Sequence, residues 1–126
     1  MSVIGRNPLD SITLKAAEVI GANIIVKFNS SDKAKCSITA FDTDTDMVGI
    51  TQFGGNTDEY LTITTGGIEF VKAGEVVVAG EQCSSDTAGK GKTGADGNYC
   101  IGDFMSSGNT DDLVPVRITK TYLETT

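Results

Sequence analysis

Short runs of apolar and β-branched residues, broken by glycine and other turn-forming residues, recur along the whole chain. The densest instance is residues 64–80, TTGGIEFVKAGEVVVAG. Ile68, Phe70, Val76 and Val78 alternate there with Glu69, Val71, Glu75 and Val77, the period-two pattern of a sheet with one face on a core. The spacing predicts a hairpin that turns at Lys72-Ala73-Gly74, where Gly74 accepts a positive φ. Gly66, Gly67 and Gly80 bracket it and predict sharp turns at both ends. No stretch here has helical period.

The same reading along the chain predicts strands at 12–15, 23–28, 34–40, 45–52, 60–64, 99–105 and 113–119. Residues 16–20 fit a helical turn or a strand equally. Pro115 lies inside the last run and lacks an amide hydrogen, which predicts an edge position for that strand. Residues 1–11 have Gly5, Asn7, Pro8 and Asp10 among isolated apolar residues and read as a flexible N-terminal arm. The expected division is an arm at 1–11, a β domain at 12–120 and a C-terminal tail at 121–126. The expected class is all-β, a compact sandwich or barrel of short strands.

An internal echo predicts a duplicated β unit. NIIVKFNSSDKAK (23–35) lies against EVVVAGEQCSSDTAGK (75–90), Met47 to Ile50 against Tyr99 to Gly102, and YLTIT (60–64) against PVRIT (115–119). In that alignment the two Ser-Ser-Asp turns are equivalent.

Composition narrows the function. With 126 residues and 39% hydrophobic content the chain can bury a core without staples. A net charge of −7 opposes binding to nucleic acid. No run is apolar enough to span a membrane, and the first residues lack the pattern of a signal peptide, so synthesis and residence in a cytoplasm are expected. The absence of histidine removes His-based triads and most zinc sites. Cys36, Cys83 and Cys100 form no C-x-x-C pair, lack their usual activating base and read as buried thiols. Paired carboxylates for glycoside hydrolysis would need an aromatic-lined cleft that five Phe and three Tyr scarcely supply. No enzyme and no cofactor are expected.

Two local motifs invite chemistry. Asp42, Asp44 and Asp46 imitate the start of a calcium loop, but Met47 and Phe53 stand where Gly and Glu belong, so the stretch reads as a solvated acidic turn and only a weak metal candidate. Gly91-Lys92-Thr93 resembles the end of a phosphate-binding loop. Asp86 replaces its first glycine, and 89–94 reads as a flexible hairpin tip.

GIEFVKAGEVVVAG followed by Asp86-Thr87-Ala88-Gly89-Lys90, with Val48-Gly49-Ile50-Thr51 upstream, resembles the small capsid decoration, or cement, proteins of tailed bacteriophages. The resemblance covers about residues 12–120 and departs from the family at 93–98 and 101–104. It implies a homotrimer made in a bacterial cytoplasm that binds the major capsid protein on the outer surface of the virion and staples capsomers together. A head fibre, spike or tail-tube component is the second reading, and a small carbohydrate-binding module, with a cleft lined by Tyr60, Tyr99 or Tyr122, the third. Ile4, Arg6 and Leu9, with Tyr122 and Leu123, are the expected capsid contacts, being apolar or cationic residues in segments too short to bury them.

Overall fold

The computed structural model describes residues 6–32, 34–38, 47–95 and 97–122. They form an all-β domain of nine strands with no helix among the described residues: β1 (Asn7–Ala16), β2 (Ile25–Phe28), β3 (Lys35–Ile38), β4 (Met47–Thr51), β5 (Tyr60–Lys72), β6 (Gln82–Ser85), β7 (Gly91–Thr93), β8 (Tyr99–Phe104) and β9 (Leu113–Tyr122). The strands follow the order β1-β3-β2-β4-β5-β9-β8-β6-β7, and β1 pairs back onto β5. That pairing closes the first five strands on themselves. A parallel bridge between Ala73 and Gly91 gives the second half the same closure. The molecule is thus two small barrels that share β5, whose first half pairs with β4 and whose second half pairs with β9.

The hairpin expected at 64–80 is absent. β5 runs straight through Gly66-Gly67, and those glycines serve a close approach instead of a turn. A Cβ on Gly67, whose φ is +84°, would strike the backbone of Asn7 and come within 2.6 Å of Leu9 N. β1 crosses there, with register shifts on both sides of Asp10. Beyond Lys72 the chain enters a loop, held by isolated bridges from Ala73 to Gly91 and from Val77 to Gly108.

Both expected boundaries fall inside strands. Residues 7–11 belong to β1 and pair with β5 from Ile68 to Thr64, so the arm read at 1–11 is strand from Asn7 onward. The tail expected to begin at 121 starts inside β9. Pro115 is not at an edge, because β9 lies between β5 and β8. Its carbonyl accepts from Met105 N at 2.9 Å just where β8 ends, so the missing N–H falls at the close of that ladder.

The duplication is present, in a different register from the echo. Ala16 N donates to Glu59 O at 2.8 Å and Ala73 N to Asp112 O at 2.9 Å; Asp58 N donates to Ala16 O and Asp111 N to Ala73 O, both at 2.7 Å. Ile20 and Gly55 exchange two backbone bonds, as do Val77 and Gly108. Asp58 and Asp111 both adopt positive φ, 69° and 70°, a conformation that aspartate tolerates better than most residues. Each accepts a lysine, Lys35 at 3.1 Å and Lys90 at 2.9 Å. The Ser-Ser-Asp turns are not equivalent. Asn29 N bonds to Lys35 O and Asp86 N to Lys90 O, so Asn29 is the counterpart of Asp86. Ser84 and Ser85 are buried in β6, whereas Ser30 and Ser31 lie exposed in a turn.

Each barrel has its own core. Ala16, Ile20, Val26, Cys36, Leu61 and Ile63 fill the first. Val71, Val77, Cys83, Ile101, Phe104 and Val116 fill the second, and Ile25, Met47 and Ile50, from the other side of β2 and β4, join that cluster and weld the barrels together. Burying each such side chain contributes roughly 1.5–3 kcal/mol.

Candidate interaction surface

The described residues at the N-terminus lie on β1. Arg6 Nε donates to Glu69 Oε2 at 2.6 Å, and Glu69 is completely buried. Thr64 Oγ1 donates to the same carboxylate oxygen at 2.8 Å, and Gln52 Nε2 donates to Thr64 Oγ1 at 3.0 Å. The other carboxylate oxygen accepts Phe70 N at 3.1 Å. Arg6 is therefore tied to the fold, and it fixes the entry of β1 by satisfying a charge the domain has taken out of water.

Leu9 stands 74% exposed and Ile12 follows it on the same strand. The outer edge of β1 meets β3 only at Lys15 and Ala16, which leaves residues 7–14 bordered by β5 alone among the described strands. An open edge of this kind is a template for another backbone. Tyr122 is the last residue of β9, opposite Tyr99. Gly67 pairs with Pro8 on one side and Ile118 on the other, so the start of β1 and the later part of β9 flank the middle of β5. Ile4 and Leu123 lie outside the described residues, as do Asp42, Asp44 and Asp46.

Further apolar side chains emerge at matched places in the two barrels: Val19 and Val76 in the loops after β1 and β5, and Tyr60 and Leu113 at the starts of β5 and β9. Beside Tyr60 lies an open cleft of about 160 Å³ lined by Lys15, Asp32, Ala34, Lys35 and Tyr60. Lys15 Nζ sits 5.4 Å from the Tyr60 ring centroid, within cation–π range. Of the three tyrosines expected for a carbohydrate cleft, Tyr60 lines this one.

The thiols are set apart from solvent. All three cysteines are buried and lie outside any disulfide. Burial pushes Cys36 up to about 11 and Cys83 well above its ordinary value, the latter helped by the neighbouring Cys100. Raised thiols are poor nucleophiles at neutral pH. The stretch read as a flexible tip is instead ordered: Gly91, Lys92 and Thr93 are β7, and Gly89 is buried against Ile24 and Ile38. Among the described residues no three His, Cys, Asp or Glu side chains come together as a metal site.

No protein-family model matches the chain, and no curated protein does. Among solved structures, the head fibre gp8.5 N base of bacteriophage phi29 matches with a TM-score of 0.72, over 92% of this chain and 98% of that one. The chain shares the fold of that head-fibre base. At 18% identity the likeness to the phi29 base is one of architecture. Sequence reasoning missed the strongest internal signal of that architecture, the repeated Gly-Asn-Thr-Asp at 55–58 and 108–111, whose aspartates make the equivalent left-handed turns.

Proposed function

We propose that the chain is a structural protein of a bacteriophage head, attached as a homotrimer to the major capsid protein on the outer surface of the virion, and not an enzyme. The observation that supports this reading is the fold shared with the phi29 head-fibre base across nearly the whole of both chains. Two roles fit it. As a cement protein the domain would strap neighbouring capsomers; as a fibre base it would anchor a projecting structure, and the structural neighbour supports the two roles equally. In either, we assign the main apolar and backbone contact with the capsid to Leu9 and the open edge of β1, an edge that Arg6 holds in place through Glu69.

Heads lacking the protein, incubated with limiting amounts of wild type or Leu9→Glu, test the reading. Wild type is expected to occupy the heads, and Leu9→Glu to lose at least about tenfold in affinity with an unchanged melting temperature. Absence of wild-type binding to any such head would overturn it.

A further inference from the structure

The seam between the two barrels joins two copies of one structural unit head to tail. Lys72 N donates to Asn23 O at 2.9 Å, Ile25 N donates to Gly89 O at 2.8 Å, and Asn23 Nδ2 donates to Phe70 O at 2.9 Å. Ile24 and Ile38 close over Gly89, where a Cβ would come within 2.6 Å of Ile24 Cγ2. The loop Asn23-Ile24-Ile25 of the first barrel thus seats against Phe70, Lys72 and Gly89 of the second. Each partner in this seam has a counterpart in the other barrel.

On the first barrel the counterparts of Lys72, Gly89 and Lys90 are Lys15, Ala34 and Lys35, and these line the open cleft beside Tyr60. On the second barrel the counterpart of Asn23-Ile24-Ile25 is Gly80-Glu81-Gln82. The loops match in detail: Asn23 and Gly80 both have positive φ, and their amides donate to Thr51 O and Phe104 O at 2.9 and 2.8 Å. Thr51 N and Phe104 N in turn donate to Ile24 O and Glu81 O. Glu81 is exposed, and Gln82 Oε1 is a buried side-chain oxygen with no hydrogen-bond partner. The acidic Glu81 on one side is matched on the other by a cleft that holds Lys15 and Lys35 beside Asp32, with Lys35 also paired to Asp58. The chain therefore carries an open cleft at one end and a copy of the matching loop, with Glu81 exposed, at the other.

We propose that a second copy of this chain seats its Gly80-Glu81-Gln82 loop in the Lys15–Lys35 cleft, repeating between chains the seam that joins the barrels within one. Glu81 meets Lys15 and Lys35, but the backbone contact is not an exact copy of the internal one, because Ala34 O already accepts Lys15 N at 3.3 Å and Ala34 carries the Cβ that Gly89 lacks. Such a contact is heterologous, so it generates a ring if the rotation closes and a filament if it does not. It deepens the self-association in the proposed function and rests on that part of it, not on the capsid.

Two measurements test the contact. Lys15→Cys chains mixed with Glu81→Cys chains under mild oxidation are expected to yield disulfide-linked dimers at least about tenfold above either variant alone, because the internal counterparts, Lys72 and Ile24, are backbone neighbours. In sedimentation, Glu81→Lys is expected to weaken self-association at least about tenfold, and adding Lys15→Glu to the same chain to restore it. A wild type that stays monomeric at about 0.1 mM overturns both the contact and the homotrimer. A wild type that associates without selective cross-linking, or with indifference to Glu81→Lys, overturns this contact and leaves the homotrimer and head binding standing.

Discussion

The two barrels follow one hydrogen-bonding plan and fill it differently. In the first, Cys36 and Thr51 face the interior; at the corresponding places the second has Gly91 and Phe104. Phe104 needs the space that Gly91 leaves, since a Cβ on Gly91 would lie 3.3 Å from Phe104 Cε1 and 3.2 Å from Cys83 Sγ. Thr51 holds its place by hydrogen bonds instead: its hydroxyl donates to Gly21 O at 2.8 Å and accepts Ile24 N at 3.1 Å. Equivalent backbones thus reach a closed core by two routes, one volumetric and one polar. What is common to both barrels belongs to backbone approach, and what differs is compensated by a neighbouring position.

The largest effect should come from the shared feature. Gly49 and Gly102 lie where a Cβ would run into the carbonyl oxygens of Thr64 and Arg117. Gly49→Ala and Gly102→Ala should each destabilise by more than about 4 kcal/mol, read as a loss of the cooperative urea transition. Tolerance of either substitution would break the equivalence of the barrels. Next, Phe104→Ala should cost about 3–5 kcal/mol by opening a cavity, and Thr51→Val about 1–3 kcal/mol by leaving Ile24 N without its partner. Equal costs would erase the contrast between the two routes.

A third effect separates the barrels at the chain's entry. Glu69 is the counterpart of Ile12, and only Glu69 is a buried charge. Arg6→Ala should cost about 1–3 kcal/mol, below the range for a fully buried pair because the Arg6 side chain is 40% exposed. Ile12→Ala should change stability by less than about 0.5 kcal/mol in the same thermal melts.

The smallest effect concerns the exposed ion pair of the second barrel. The Lys90 ammonium lowers the Asp111 carboxyl below its ordinary value, and Asp111 raises Lys90. A lowered carboxyl contributes stability above its unfolded pKa and loses it as pH falls through the folded one; the raised lysine contributes below its unfolded pKa and loses it as pH rises through the folded one. Asp111→Asn should therefore lower the melting temperature slightly at pH 7 and low salt, with the difference vanishing at about pH 2 and in high salt. A difference that persists in acid would assign the effect to the left-handed turn instead of the charge.

The class was legible because alternation at period two is local, and the runs at 23–28, 45–52 and 60–64 lie close to β2, β4 and the first half of β5. The setting of the residues expected to make contacts was legible only in part. Leu9 is exposed as its isolated setting suggested, but Arg6 pairs with Glu69, 63 positions away, and no local pattern announces such a partner. The hairpin failed for the same kind of reason: Gly66 and Gly67 look like turn residues until another strand is known to pass over them.

By itself the sequence determined that the chain folds into short strands around apolar cores, with its cysteines reading as buried thiols and without histidine chemistry, because each of these follows from residue type and nearest-neighbour spacing. It also held the duplication, in the repeated Gly-Asn-Thr-Asp and in LKAAEVI against VKAGEVV. Tertiary structure alone decided the register of that duplication, the sharing of β5, the interior place of Pro115 and the Arg6–Glu69 pair. Each depends on which distant backbone approaches a given residue, and that is set by closing two barrels on one strand.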